Sequence, residues 1–385
     1  MEKIIEEYQQ KFARFLGAER AFAFWKGRVA LYALLLALDV GQDDEVILPG
    51  YTCVMNVNPI KYVGARPVYV DIEPDTFNMN VNLLEEKITK KTKVIIAQHT
   101  YGYPCDMDTI MKIAQSSGIS VIEDCCLAMG SKYKARLVGT FGRAGYYSFQ
   151  WNKPYTTGLG GMVITSDREL AERIESLAVN ETCPPSAWEV FMLRMQLIIY
   201  RLFIYPRTTA LAQNLFRYLT KKGVVVGSSS TSEFEPERAD DFFKGISKMQ
   251  ARSGIRQLCR IKENIAHRRK MAHLYDKLLA SKGFKPSRDS RDNADPVLVR
   301  YPVRIAEKDK ALAQAAKAGI ELGSWFECPL HPIETPLASY DYELGMCPEA
   351  EKASRHAVNL PLHMRTNEKT AKRNVDFITG FTQAD

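Results

Sequence analysis

The chain has 385 residues, of which 46% are hydrophobic and 25% are charged. This composition is typical of globular proteins and excludes disordered, collagen-like and coiled-coil chains, and at roughly 100–200 residues per domain the length favours two or three domains. The net charge of +7 is too small to indicate nucleic-acid binding, but it is unevenly placed: residues 1–180 sum to −1, residues 181–290 to +10 and residues 291–385 to −2.

The first seventeen residues, MEKIIEEYQQKFARFLG, have the spacing of an amphipathic helix and lack the apolar core of a signal peptide. No sufficiently long apolar run is free of charges, so the sequence predicts no transmembrane helix. The eight cysteines form no C-x-x-C pair, which favours buried thiols in a reducing compartment and therefore a cytoplasmic protein. The six histidines show no metal-ligand spacing, so we expect no metal site.

Residues 20–165 alternate helical and strand patterns, which predicts an α/β domain with a mostly parallel sheet. Ligands in such sheets bind at the carboxyl ends of the strands, so polar residues there (Asp71, His99 and Asp124) are candidates for a site. For Asp71 we favour a structural role, as a helix cap or a turn residue. The predicted helices cover 29–38, 55–62, 83–88 and 107–115, and the predicted strands cover 45–48, 67–70, 93–98 and 120–122.

The second half of the chain has a different pattern. A basic and apolar stretch is followed by a polar loop, a long helical pattern that could bridge two domains, and then one strand and two helices. We therefore predict a large domain over 1–245 and a small α+β C-terminal domain over 246–385, entered by the long helix. The segments are the insertion 187–240 with its loop at 223–241, the long helix 245–280, the strand 297–303 and the helices near 308–318 and 367–380.

Three features with chemical potential follow one another in the chain: Asp124 ends an apolar strand, Lys153 lies among aromatic residues, and the glycine-rich stretch 156–161 comes directly after it. A lysine amine in apolar surroundings can attack a carbonyl, and an aspartate at a neighbouring strand end can hold a protonated pyridine nitrogen. The backbone amides of Gly27 and Arg28, at a helix start, could bind a phosphate. Singly, these residues fit a surface lysine and a helix cap, but together they indicate a pyridoxal phosphate site.

The chain resembles the DegT, DnrJ and StrS family of sugar aminotransferases, which has the aspartate aminotransferase-like fold (fold type I). The most specific match runs from E-D through G-T-F-G and S-F-x-x-x-K to T-T-G-x-G-G. Further matching blocks are GQDDEVILPGYT, GARPVYVDIEPDTFNMN, YGYPCDMDTI, QARSGIRQLCRI, AGIELGSWFECPLHP and AVNLPLH. The resemblance implies an α/β large domain with a small α+β C-terminal domain, pyridoxal 5'-phosphate as cofactor and a homodimer with shared active sites. It also implies amino transfer, from glutamate, to a nucleotide-linked keto sugar.

The same resemblance implies roles for individual residues. Lys153 would form the internal aldimine with the cofactor and later shuttle a proton between cofactor and substrate carbon. Asp124 would pair with the pyridine nitrogen, and Ser148 would bind the cofactor phosphate. His331 lies where the family often reaches toward the substrate.

Some positions depart from the family pattern. Gly27 and Arg28 stand where the family usually has a Gly-Thr whose amides hold the phosphate. The asparagine that normally reaches the partner's phosphate has no counterpart in DDFFKGISKMQA, and Arg28 or Lys26 could replace that contact with charge.

Two further departures concern the cofactor ring. The aromatic residue that stacks on it is replaced by Cys53, with Tyr51 two residues earlier, and either of them is a candidate to face the ring. Leu127 replaces the usual glutamine or histidine three residues after the aspartate.

Two other functions remain possible at this stage. A pyridoxal-dependent dehydratase is disfavoured, because the dehydratase relatives replace the lysine with histidine and this chain has Lys153. A regulatory or scaffold protein that has kept the fold but lost turnover is the alternative, and Cys53 and Leu127 give it some weight.

The basic apolar segment 187–222 also has two interpretations. Arg194 and Arg201 are seven residues apart, about two helical turns, and no acidic residue occurs between Val190 and Thr231. The segment therefore fits a helix in weak contact with a membrane surface. It also fits a helix packed against the other domain or a partner subunit. We favour this second interpretation.

Overall fold

The computed structural model describes residues 2–151, 153–203, 237–286, 291, 293–332 and 337–384, with the side chains of 201–203 excepted. Its helices are α1 (Lys3–Leu16), α2 (Gly27–Ala37), α3 (Val54–Tyr62), α4 (Met107–Ser117), α5 (Arg168–Asn180), α6 (Ala187–Phe203), α7 (Lys248–Leu258), α8 (Ile261–Ser281), α9 (Lys308–Ala318), α10 (Pro348–His356) and α11 (Glu368–Ile378). Its strands are β1 (Arg20–Phe24), β2 (Glu45–Pro49), β3 (Thr52–Cys53), β4 (Arg66–Val70), β5 (Thr92–Gln98), β6 (Ser120–Asp124), β7 (Lys132–Tyr133), β8 (Arg136–Leu137), β9 (Ala144–Ser148), β10 (Gly161–Thr165), β11 (Ala294–Asp295), β12 (Arg300–Arg304), β13 (Leu330–His331) and β14 (Ala357–Pro361).

A seven-stranded sheet of order β1-β10-β9-β6-β5-β2-β4 forms the centre of the fold. The strands from β9 to β4 run parallel, and β10 is antiparallel to both of its neighbours. Every residue of β2 and of β10 is buried, as expected for a sheet covered on both faces. The mostly parallel α/β sheet is confirmed, and the carboxyl ends of β2, β5, β6 and β9 meet at one edge, together with the start of β10.

Asp71, which follows β4, caps a helix from the C-terminal part of the chain. Its Oδ2 accepts a 2.9 Å hydrogen bond from the backbone N–H of Glu349, and its Oδ1 accepts one of 2.9 Å from Ala350. Both donors lie in the first turn of α10, where N–H groups lack partners within the helix and a negative charge is favourable. The structural role favoured from the sequence is confirmed, and it is that of a helix cap.

The segment predicted as one helix over 245–280 is two helices, α7 and α8. A capping box formed by Ser247 and Gln250 starts α7. The helical conformation is interrupted at Arg260, whose φ of −110° and ψ of 2° lie outside the helical region. A helical side-chain pattern survives such a break, which is why the sequence did not reveal it.

Two shorter predictions were wrong in detail. The predicted helix over 83–88 is a pair of 3-10 turns, Val81–Leu83 and Glu85–Lys87. The predicted strand 297–303 is shifted to Arg300–Arg304, because the N–H of Val297 donates to the Ser131 hydroxyl and the N–H of Val299 to the Tyr101 carbonyl. These contacts tie the segment before β12 to the large sheet's edge.

The predicted boundary between residues 245 and 246 stays a prediction. The largest apolar cluster contains residues from both sides of it, among them Tyr51 and Phe326, whose ring centroids are 5.0 Å apart. Of the predicted insertion 187–240, the part from 204 to 236 lies outside the described residues, as does most of the predicted loop at 223–241.

Candidate active site

The carboxylate of Asp124 lies at the carboxyl edge of the sheet and is only 4% exposed. Its Oδ2 accepts a 2.6 Å hydrogen bond from Asn56 Nδ2, and its Oδ1 accepts one of 2.8 Å from the backbone N–H of Cys126. Tyr146 orients the asparagine by donating its hydroxyl to Asn56 Oδ1 at 3.1 Å. Within the described part of the chain no salt bridge involves Asp124, so a buried carboxylate is held here by neutral donors alone. A cation brought to this place would meet an uncompensated charge.

The neighbouring Glu123 has a structural task. Its two oxygens accept hydrogen bonds from three backbone N–H groups of the turn 139–142, at 2.6 to 2.8 Å. His99 accepts a 3.0 Å bond from the N–H of Cys105 at Nδ1, so its Nε2 carries the proton that faces Glu123 Oε2 at 3.1 Å. Although His99, Glu123 and Cys125 lie close enough to hold a metal ion, both ring nitrogens and both carboxylate oxygens are already engaged. His99 is therefore a buried structural residue.

Gly27 opens α2 directly against Ser148, the last residue of β9. A Cβ on Gly27 would lie only 2.7 Å from the Cβ of Ser148 and 3.0 Å from its Oγ. Lys26 precedes the helix in an extended conformation and supplies no side-chain cap. Gly161, at the start of β10, lies so close to Lys26 that a Cβ would overlap the Lys26 carbonyl. A serine hydroxyl and a helix N-terminus thus share one corner, which is a suitable arrangement for a phosphate.

Lys153 is half-buried in the loop after β9, and its Nζ lies 5.3 Å from the centroid of the Trp325 ring. The guanidinium carbon of Arg300 lies 4.8 Å from the same centroid, so the indole interacts with two cations. Asn359 fixes the backbone of Trp325 with two 2.9 Å bonds: its Oδ1 accepts from the tryptophan N–H and its Nδ2 donates to the carbonyl. These contacts hold an aromatic ring at a defined position beside Lys153.

Cys53 and His331 lie side by side in the same region, because β13 pairs with β3 in parallel and places these two residues in register. Burial raises the pKa of the Cys53 thiol, and the charges of Lys153 and Arg28 act in the opposite direction. The thiol therefore lies close enough to both cations for their charges to affect its pKa. Of the predicted site residues, Cys53, Lys153, Arg28 and His331 come together.

Tyr51 points elsewhere. It is fully buried, its hydroxyl lies 2.9 Å from that of Tyr101 and accepts a 3.0 Å bond from the N–H of Phe326, and its ring stacks on Phe77 at 5.7 Å. Burial raises its pKa to about 12. Because this aromatic cluster surrounds the ring, the placement favours Cys53 over Tyr51 as the residue that faces the site.

His331 makes the stability of the protein sensitive to acid. Burial, with smaller effects from Lys308 and Lys153, lowers its pKa from 6.5 to about 4. Between these values the unfolded chain binds a proton that the folded chain does not, so stability falls as the pH falls through this window. At about pH 5 we expect the loss from this group to reach up to about 2 kcal/mol. Urea unfolding of the His331→Gln variant should show a correspondingly smaller loss between neutral pH and about pH 5, and an identical loss would contradict the prediction.

Sequence reasoning missed Asn56, Trp325 and Asn359. The last two lie inside blocks that carry the family resemblance, but nothing in the sequence showed that they contact each other or Lys153. The contact between Asn56 and Asp124 joins residues 68 positions apart, and an asparagine in the first turns of a predicted helix gave no signal for it.

Comparisons with known proteins concern the family and the fold of the chain. The sequence model of the DegT/DnrJ/EryC1/StrS aminotransferase family matches residues 2–194 and 241–379. The GDP-perosamine synthase of Escherichia coli O157:H7 is 48% identical over 169 residues, an alignment that covers 44% of this chain and 46%, less than half, of that relative. The GDP-perosamine synthase of Caulobacter vibrioides is 30% identical over 379 residues, covering 96% of this chain and 88% of the relative.

The fold is likewise shared with solved structures. Spr1654 of Streptococcus pneumoniae, solved in its pyridoxal phosphate (PLP) form, superposes with a TM-score of 0.77 at 22% identity, over 99% of this chain and 91% of that one. At this identity the likeness shows the fold, and it confirms the predicted fold class. The family match leaves out residues 195–240, within the segment predicted as an atypical insertion.

Proposed function

Because the chain belongs to the DegT/DnrJ/EryC1/StrS aminotransferase family, we propose that it transfers an amino group from glutamate to a keto sugar linked to a nucleotide. The observation that supports this proposal most is the presence of a buried carboxylate and a lysine at one site: Lys153 lines the same small cavity as Ser148 and Cys126, and the N–H of Cys126 donates to Asp124. Burial and the charge of Asp124 raise the pKa of the Cys126 thiol, whereas Lys153 lowers it, so both charges act on the same small group.

The residues present fit pyridoxal phosphate as the cofactor. Asp124, which has no cationic partner among the described residues, would hold the pyridine nitrogen in its protonated form. Ser148 and the N-terminus of α2 would bind the phosphate, and Gly27 lets the start of the helix approach Ser148 so closely that a Cβ would clash with the serine side chain. Pyridoxal phosphate supplies, when bound, an electron sink for the carbon that loses a proton.

Lys153 would hold the cofactor and move the proton. Its amine would take a proton from the donor carbon and return one to the acceptor carbon, and such positioned transfer contributes about 10²–10⁴-fold to rate. The Trp325 ring beside Nζ restricts the positions that the flexible lysine side chain can adopt. Asn359 in turn keeps the indole in place.

The substrate end of the site would be formed by Arg300, Trp325 and His331. A guanidinium suits the diphosphate of a nucleotide sugar, because its planar donors bind phosphate oxygens in pairs. The two relatives named as GDP-perosamine synthases support a nucleotide-linked sugar as the acceptor. We also propose that the working unit is a homodimer in which each subunit completes its partner's site, as the family resemblance implies.

The proposal is tested by an amination assay with purified protein, pyridoxal phosphate, glutamate and a panel of nucleotide-linked keto sugars. Glutamate alone should convert the cofactor spectrum to that of the pyridoxamine form, with one 2-oxoglutarate released per site. One member of the panel should then restore the first spectrum and gain an amino group by mass spectrometry. The assay is repeated with other amino acids if glutamate leaves the spectrum unchanged. If no amino donor changes the spectrum, the proposed aminotransferase activity is rejected and a regulatory or scaffold role is favoured.

A further inference from the structure

Helix α6 is fixed by one of its faces to the loop that carries Lys153. Leu193 and Leu197 on this face are buried, and they pack against Gly158. Tyr200 donates its hydroxyl to the carbonyl of Trp151 at 3.2 Å, and their rings lie 5.2 Å apart. These contacts use one face of the helix to hold it against the protein. The opposite face takes no part in them.

That opposite face is an apolar stripe. Five large hydrophobic side chains are exposed on it, at positions that recur every three or four residues and so share one side of the helix. They are five of the nine exposed large hydrophobic residues of the described chain, so the exposure is concentrated here. The stripe consists of Trp188 (64% exposed), Phe191 (51%), Met195 (38%), Ile198 (42%) and Ile199 (48%).

The sequence that continues from the stripe is basic. Residues 190–231 contain six arginines and lysines and no acidic residue. Arg194 lies exposed within the helix itself. The one acidic residue of α6, Glu189, is bound to Lys244 at 2.7 Å. Lys244 also binds Asp241, at 2.5 Å, so Arg194 is the exposed cation that the described side chains of α6 offer. A helix with an exposed apolar stripe, exposed aromatic rings and an exposed arginine has the character of an interfacial helix.

We propose that α6 docks this protein on an anionic lipid membrane, with the stripe inserted to the level of the headgroups and Arg194 against anionic lipids. The helix would lie along the surface. No helix among the described residues is long and apolar enough to cross a bilayer. The inference is independent of the role proposed for Lys153.

A second copy of the chain is a less suitable occupant. In a twofold contact the stripe would face itself, and the exposed Arg194 of each copy would be brought toward the same positive charge on the other. The sequence model of the family also ends at residue 194 and resumes at 241. Met195, Ile198 and Ile199 therefore lie outside what the family shares, so an assembly common to the family would not be built on them.

Vesicle sedimentation with the full-length holoprotein tests the proposal. The protein should bind vesicles of phosphatidylcholine with phosphatidylglycerol, bind pure phosphatidylcholine far less, and be released by salt. Phe191→Glu and Ile198→Glu should each lower the partition coefficient by about tenfold or more, since each removes apolar contact and adds a negative charge. Leu344→Glu, at a side chain that is 75% exposed elsewhere on the surface, is the matched control and should bind as the wild type does.

A second measurement avoids the added charge. Bromine-labelled anionic lipid should quench the tryptophan fluorescence of the wild type, and Trp188→Phe should lose most of that quenching while still binding. The proposal is overturned if the wild type does not bind anionic vesicles, or if Leu344→Glu weakens binding as much as the α6 variants. It is also overturned if the α6 variants change only the sedimentation coefficient of the protein, which would assign the stripe to a contact between copies.

Discussion

Replacing Lys153 by alanine is expected to lower the rate of amino transfer by at least about 10³-fold, because one amine is asked both to hold the cofactor and to move the proton. The protein should also lose the visible absorption band of the lysine-bound cofactor. Stability should change little, since Lys153 is half-buried and its one described side-chain contact is the Trp325 ring, an interaction worth about 0.5–2 kcal/mol. Turnover with glutamate, the absorption spectrum and the melting temperature are the three measurements.

Lys310→Ala is the control for this experiment. Lys310 is exposed and pairs only with the neighbouring Glu307, at 2.7 Å. The Lys310→Ala variant should keep the wild-type rate and spectrum. If Lys153→Ala retained both the band and the turnover, Lys153 would not be the cofactor lysine and the assignment of the site would be wrong. A large fall in melting temperature with an unchanged spectrum would instead give Lys153 a structural role.

The sequence predicted strands β2, β4, β5 and β6 well because each of them is a local signal, whereas β1 and β10 were not predicted. A short apolar run, the residue that ends it and the helix that follows are all contained within a few positions, as at β6 with Asp124 at its end. The parallel arrangement then brings the ends of distant strands to one edge. For this reason Asp124 was a candidate before any contact was seen, whereas Ser148 was expected at the site only because of the family resemblance.

Contacts across long separations could not be predicted in the same way. Cys53 and His331 are neighbours because two-residue strands pair, and strands that short leave almost no pattern in a sequence. Trp325 is held by Asn359 through backbone groups, which carry no sequence signal at all. The choice between Tyr51 and Cys53 likewise depended on where a distant aromatic cluster forms.

The hydrophobic sequence of α6 did not show which of its residues would be buried and which exposed. Its apolar residues fit equally a packed helix and a surface helix, and the structure assigns different residues to each task. Leu193 and Leu197 are buried against Gly158, which lies in the same predicted large domain and not in the other domain that the favoured interpretation named, whereas Phe191 and Ile198 are exposed. Of the basic residues in 181–290, Arg194 is the one that the described side chains of this helix expose beside the stripe.

Asp124→Asn should remove most activity without unfolding the protein. The substitution keeps the shape of the side chain and removes the charge that would hold a protonated pyridine nitrogen. Breaking a buried charge pair costs about 3–5 kcal/mol, so we expect a fall in the transfer rate of about 10²–10³-fold. Steady-state kinetics with glutamate, and the affinity for added pyridoxal phosphate, measure the effect.

The stability of the cofactor-free variant separates the two roles that Asp124 can have. Asn56 Nδ2 and the Cys126 N–H both donate to the carboxylate, so the new amide would meet one donor unfavourably. Removing a buried charge that lacks a cationic partner acts in the opposite direction, and we expect the free energy of unfolding to change by less than about 1 kcal/mol. Asn56→Ala keeps the charge and loses one donor, so its rate should fall only about tenfold. If Asp124→Asn lost several kcal/mol of stability, and Asn56→Ala lost as much activity as Asp124→Asn, the carboxylate would be a structural hydrogen-bond acceptor and not the partner of a cofactor.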